Sequence, residues 1–248
     1  MTDPGARAQR RRIYLMRHGS VTYFDDSGKP YLPESVSLNE TGQAQADAAG
    51  RALFDAGVRF DRVITSSLPR TIETAQRVLA ACGQDVHGGI APGLEPPPEP
   101  EIWPELHEIR GGRLSAIPLD ELRRAFTGAF EGVVDQDQRF LGGESVGEMM
   151  NRVHPAIERL RAQPDWDTVL LVLHGGVNCA ILSLALTGQR MFLGGLAQAP
   201  GCINALDVGD DPRDWVVRFV NYVPPGPLQP GARTTTMEQL FEQYRKGR

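Results

Sequence analysis

The chain has 248 residues, 41% of them hydrophobic, and a formal net charge of -5. That length and apolar content suit one sizeable domain with an ample core. The acidic balance argues against a nucleic-acid binder, which carries a basic excess, and no run approaches the ~18 apolar residues of a membrane span. Cys82, Cys179 and Cys202 are far apart and odd in number. They form neither a disulfide framework nor a zinc site, so reduced structural thiols in a cytoplasmic protein are expected.

Residues 1–12 are polar, end in Arg10-Arg11-Arg12 and read as a disordered, solvated tail. The apolar run behind them is too short for a signal-peptide core. Ile13-Tyr14-Leu15-Met16 is a buried-strand run, and Arg17-His18-Gly19 follows at once. Ser20 to Ser37 is rich in Asp, Gly, Pro and Ser and reads as a loop able to line a pocket. Asn39 to Gly57 predicts a helix capped by Thr41 and stopped by Gly57. A second strand covers residues 60–64, and a second helix begins at Ser67. Pro69 sits in its first turn, where a missing N–H costs little. Arg70 falls at that N-terminus, which favours an anion.

Residues 83–104 hold six prolines and read as part of a lid inserted between strands of one sheet. Ile117 to Gly132 predicts a lid helix with Leu119, Leu122, Ala125, Phe126 and Phe130 on its apolar side. Ser145-Val146-Gly147-Glu148 has capping-box spacing and opens a helix to about Ala162, which Pro155 should kink or divide. Residues 169–173 form another buried-strand run, followed by His174-Gly175-Gly176 and a helix to Leu186. Closing strands cover 203–208 and 215–220. A short last helix, Thr236 to Lys246, could pack on the core or on a second subunit, so a homodimer is one arrangement it allows.

Any one of these strand ends is a weak sign. Three strands, however, each deliver a cation or an imidazole at the carboxyl end, where open α/β sheets bind ligands. At these residues the chain resembles the histidine phosphatase superfamily, the phosphoglycerate-mutase-like family. The matching pieces are Leu15-Met16-Arg17-His18-Gly19, Ser66-Ser67-Leu68-Pro69-Arg70-Thr71, Gly142-Gly143-Glu144-Ser145 and Leu173-His174-Gly175-Gly176. They stand in the family's order and cover most of residues 13–223. Two features depart from the pattern. Phe24 stands where family members often carry a phosphate-binding Asn, and Gly112-Arg113-Leu114 replaces a Trp-Glu-Gly run.

The expected fold is a three-layer α/β/α sandwich with a mostly parallel central sheet, spanning residues 13–223. A lid comes from about 83–140, and 224–248 form a C-terminal extension. Cleaving a phosphate monoester needs charge neutralisation, an in-line nucleophile and a proton for the leaving oxygen. Arg17 and Arg70 meet the first need with planar guanidinium forks. His18 meets the second, since imidazole with an unperturbed pKa near 6.5 is largely neutral near neutral pH. The resemblance implies that His18 becomes a phosphohistidine and that His174 stabilises the transferring phosphoryl group. It also implies that Glu108, in Leu106-His107-Glu108, supplies the proton, with Glu105 as rival. Arg17, Arg70, His174 and Gly175 form the expected phosphate-binding set, with no metal and no cofactor.

The expected activity is metal-independent hydrolysis of a small phosphorylated metabolite. A phosphoglycerate-type mutase, or a phospho-ligand binding module without catalysis, is the alternative. The expected partner is a small-molecule phosphate ester.

Overall fold

A computed structural model describes residues 10–25, 27–82, 97–226 and 233–246. The expected disorder of residues 1–9 and most of the proline-rich stretch lie outside the described residues. In chain order the main elements are β1 (Arg11–Arg17), α1 (Glu40–Asp55), β2 (Arg62–Thr65), α2 (Pro69–Cys82) and β3 (Glu101–Ile102). Next come α3 (Leu122–Thr127), β4 (Val133–Val134), α4 (Val146–Ala162), β5 (Thr168–Leu173) and α5 (Gly175–Thr187). The chain ends with β6 (Phe192–Leu193), β7 (Ile203–Val208), β8 (Trp215–Tyr222) and α6 (Thr236–Lys246). Among the described residues no helix is long and apolar enough to cross a membrane.

Six strands form one sheet in the order β3-β2-β5-β1-β7-β8. β1, β5, β2 and β3 run parallel, and β7 and β8 close one edge antiparallel. Successive side chains on a strand point to opposite faces, and the central strands are apolar on both. Ile13, Leu15, Val169, Leu171 and Leu173 pack with α4 and α5. Met16, Leu170 and Val172 pack with α1 and α2 on the other face. Helices therefore cover both faces, which is the expected three-layer α/β/α sandwich with a mostly parallel sheet.

Several local expectations are corrected. The solvated-tail reading fails for Arg10, Arg11 and Arg12. β1 begins at Arg11, and Arg12 reaches the buried Asp207 at 2.7 Å while Arg10 pairs with Asp214. Arg11 donates to the Arg161 and Gln163 carbonyls and stacks over Trp166. The cationic run is ordered because the carboxylates and carbonyls that receive it come from distant parts of the chain. The N-cap of α1 is Asn39, whose side chain accepts from the Gly42 N–H at 2.9 Å, and not Thr41.

The expected lid helix shrinks to α3, continued by a 3₁₀ turn at Gly128–Phe130. Ile117, just before Pro118, is extended, a turn from Pro118 to Glu121 precedes α3, and Leu119, expected on the apolar side, is exposed. Glu101–Ile102, inside the stretch expected as lid, joins the main sheet as its edge strand. Pro155 neither ends nor divides α4. It lies on the exposed side, where the carbonyl it leaves unpaired can meet water, while Met149, Met150, Val153, Ile157 and Leu160 bury the opposite side.

The capping box of α4 is complete. Ser145 Oγ accepts from the Glu148 N–H at 3.1 Å, and Glu148 accepts from the Ser145 N–H at 2.7 Å. Ser145→Ala should therefore cost about 1 kcal/mol of stability. A urea midpoint shift of that size at unchanged m-value is the check.

Candidate active site

The sheet order makes β2, β5 and β1 neighbours, so their carboxyl ends meet. Arg17 closes β1, His174 follows β5, and Ser66 follows β2. The turn after β1 is clamped by glycine. A Cβ on Gly19 would fall well inside van der Waals contact with the Gly42 carbonyl, so only hydrogen there lets α1 pack against the strand end. The Gly19 N–H also donates to Thr74 of α2 at 3.1 Å.

His18 is buried, 2% exposed. Its Nδ1 lies 2.7 Å from the Gly19 carbonyl oxygen, which can only accept. Nδ1 therefore carries the proton, and the lone pair sits on Nε2. The His174 ring stands nearly edge-on to it, with centroids 5.3 Å apart. His174 Nε2 lies 2.8 Å from Ser66 Oγ, and Ser66 in turn touches Thr71 Oγ1 at 3.0 Å.

Arg17 donates from Nη1 to the Gln198 carbonyl and, at 2.9 Å, to Thr236 Oγ1 of α6. Gln198 belongs to a buried amide network with Asn178 and Asn204, and Asn204 donates to the Leu15 carbonyl. Gly175 lies against the Arg17 guanidinium, where a Cβ would stand 3.6 Å from Nε. Arg70, 3% exposed, donates to the Pro33 carbonyl at 2.6 Å. Arg17 Nε, Arg70 Nε and His174 Nδ1 are buried without a hydrogen-bond partner among the described residues. Three donors or potential donors thus remain for an anion.

Glu108 reaches the N-terminus of α5. Its Oε1 accepts from the Ile109 N–H at 3.0 Å and its Oε2 from the Gly176 N–H at 3.3 Å. A Cβ on Gly176 would stand 2.8 Å from Glu108 Oε1, so this glycine makes room for the carboxylate. The segment carrying Glu108 is held from α4. Arg152 donates to the carbonyls of Glu105, His107 and Glu108 and pairs with Glu144 at 2.8 Å. Glu144 also accepts from the Arg110 N–H. Glu105 instead pairs with Arg159 at 2.8 Å, which holds its carboxyl below the usual range.

Burial is the main cause that pushes His18 well below an ordinary imidazole, with Arg70 and Arg17 adding to it. His174 moves the same way, through burial first and then Arg70, His18, His107 and Arg17. Both rings are therefore neutral near neutral pH. Burial drives the cysteines the other way, Cys179 to about 12 and Cys202 to about 11. They are inert thiols rather than nucleophiles.

The structure thus gathers Arg17, His18, Arg70, His174, Gly175 and Glu108 at one end of the sheet. Sequence reasoning missed Ser66 as the partner of His174, His107 whose ring lies 6.2 Å from His174, and Arg152, Gln198 and Thr236. Ser66 and His107 were inside the quoted motifs. Gln198 and Thr236 carry no local signal, because their roles come from long-range contact with Arg17.

Comparison with known proteins gives the family. Residues 13–222 match the family model of the histidine phosphatase superfamily, branch 1. The chain belongs to the histidine phosphatase superfamily and is an enzyme of the phosphatase type. A relative from Salmonella paratyphi A, named "Probable phosphoglycerate mutase GpmB", is 29% identical over 176 residues, covering 70% of this chain and 74% of its own. The alpha-ribazole phosphatase of Shigella flexneri shares the fold at a TM-score of 0.60 and 23% identity, over 85% of this chain and 96% of its own. A mycobacterial glucosyl-3-phosphoglycerate phosphatase does so at 0.60 and 22%, over 86% and 99%.

Two outcomes follow from the buried charges. The lowered histidines bind fewer protons folded than unfolded, so stability rises with pH through their range and falls on acidification. The loss should begin below the unfolded value of about 6.5 and continue to the depressed folded values. Urea unfolding at pH 7 and pH 5 should show it, and His174→Gln should flatten that slope. Inorganic phosphate should also raise Tm, with a gain of about 2.7 kcal/mol at a hundredfold excess over its Kd. Arg70→Leu should remove most of that shift.

Proposed function

We propose that this phosphatase hydrolyses a small phosphate monoester through a phosphohistidine on His18, without a metal. The observation that carries the reading is the pairing of a neutral, tautomer-fixed His18 with two buried guanidiniums. Arg17 and Arg70 bind the phosphoryl oxygens and draw charge from phosphorus. His18 Nε2 attacks in line, forming the P–N bond as the P–O bond to the leaving group breaks. The positive charge that develops on the ring is stabilised through Nδ1–H by the Gly19 carbonyl.

Glu108 gives its proton to the leaving oxygen. Water then attacks phosphorus, Glu108 takes the water's proton, and the P–N bond breaks to release phosphate and neutral His18. His174, with Nε2 engaged by Ser66, offers Nδ1 to an equatorial oxygen. Glu105 drops out as the rival acid, because Arg159 holds it ionised. Among the described residues no three His, Cys, Asp or Glu side chains converge as a metal site. The two guanidiniums supply the neutralisation that a metal would otherwise provide.

The name of the GpmB relatives favours a second reading, in which the phosphoryl group moves within phosphoglycerate instead of passing to water. A coupled assay for 3- to 2-phosphoglycerate conversion separates the two readings.

His18→Ala should abolish turnover, and an alkaline quench of wild type with ³²P-labelled substrate should leave label on His18. Full activity in EDTA is expected; loss restored by a divalent ion would overturn metal independence. Glu108→Gln should lose roughly 10²–10⁴-fold on alkyl phosphates and far less on p-nitrophenyl phosphate, whose phenolate needs no proton. Gly176→Ala should reproduce that pattern more weakly, since its methyl group displaces the Glu108 carboxylate. Equal losses on both substrates would remove Glu108 as the acid.

A further inference from the structure

Arg17 and His18 open into a cavity of about 540 Å³. One wall is the loop after β1, including Tyr23 and Phe24; the opposite wall is α6. The α6 residues that line the cavity include Thr236, Gln239, Leu240 and Gln243. Their spacing of three, four and seven residues puts them on one face of the helix. Phe241 and Tyr244 lie to the other side and pack on Phe126 of α3, with centroids 5.8 Å apart in each pair. The helix is therefore anchored to the lid by one face and presents the other to the reacting residues.

Two further contacts tie α6 to the site, and a local cap fixes where the helix begins. Thr236 Oγ1 accepts from Arg17 at 2.9 Å. Thr235 and Glu238 form a reciprocal cap that sets where the helix starts. Phe24, the residue that departs from the family pattern, packs against Tyr244 with centroids 6.2 Å apart. The unusual loop residue and the helix beyond the family match are thus parts of one arrangement.

We propose that α6 is a constituent wall of the substrate site and selects phosphate monoesters with a hydroxylated, sugar-sized body. This deepens the phosphatase reading and rests on it for the position of the phosphoryl group. The cavity is far larger than a phosphate and falls within the range of about 300–1,000 Å³ typical of small-ligand sites. Its lining mixes the amides of Gln239 and Gln243 with the apolar surfaces of Phe24 and Leu240. A polyhydroxylated ring or chain suits both, with C–H surfaces on the apolar side chains and hydroxyls on the amides. A purely hydrocarbon body would satisfy none of the remaining amide donors and acceptors where it displaces their water.

The test is binding to the full chain carrying His18→Ala, so that no ligand turns over. Calorimetry would compare inorganic phosphate, hexyl phosphate, ribose 5-phosphate, glucose 6-phosphate and sorbitol 6-phosphate. At least one hydroxylated ester should bind about tenfold or more tighter than phosphate and hexyl phosphate, about the step that one or two hydrogen bonds provide. Adding Gln239→Ala with Gln243→Ala, both exposed positions, should erase that preference and leave phosphate affinity unchanged. No preference across the panel, or one that survives the double substitution, overturns the proposal. A separate arm measures turnover of the monoester p-nitrophenyl phosphate, together with the hydroxylated esters of the panel, by the chain with His18 intact. Failure there would sink the phosphatase reading while leaving a binding preference on α6 standing.

Discussion

Two guanidiniums are buried at one end of the sheet without a carboxylate to pair with. Arg17 is held by the Gln198 carbonyl and the Thr236 hydroxyl, and Arg70 by the Pro33 carbonyl. Neither makes an ion pair among the described residues. Burying an unpaired charge costs several kcal/mol, so the surrounding apolar sandwich must supply that stability. In return the site keeps a standing positive field. A nearby carboxylate would lower the cost and cancel the field, and with it the attraction for a phosphate dianion.

The state of the histidines follows from burial first and from that field second. Buried imidazoles near two cations do not take up a second proton, so His18 and His174 are neutral where free imidazole is partly charged. For His18 that leaves Nε2 free, while the Gly19 carbonyl keeps the proton on Nδ1. Glu108 is the carboxylate the site admits, and it is kept at a defined place. Arg152 grips three carbonyls of its segment, Glu144 neutralises Arg152, and Gly176 leaves room at the start of α5. An acid free to swing toward Arg17 or Arg70 would pair with them and block the anion site.

The periphery is where this chain differs from the family pattern. The core motifs sit on β1, β2, β5 and the helices that follow them, and that frame is common to relatives whose names span mutase and phosphatase activities. The loop after β1, the short α3 and α6 make a separate apolar cluster around Phe126 and Tyr244. That cluster holds the far wall of the cavity without disturbing the charged end of the sheet.

The sequence by itself determined the three-layer sandwich and most of the helices and strands, and it put forward Arg17, His18, Arg70 and His174, which the structure brings to one end of the sheet. These rest on local pattern: apolar runs of strand length, a capping box at Ser145, and motifs immediately after strands. It also put Glu108 and Glu105 forward without separating them, because both lie in one short run of the same composition. Tertiary structure gives them different surroundings, with Arg159 beside Glu105 and the amides of Ile109 and Gly176 beside Glu108. The same holds for Arg11 and Arg12, read as tail until distant carboxylates and carbonyls received them. Ser66 on His174, Gln198 on Arg17, and α6 across the cavity are likewise contacts between residues far apart in the chain. Such contacts leave no periodicity and no spacing to read, since they exist only once the sheet order has brought the strand ends together.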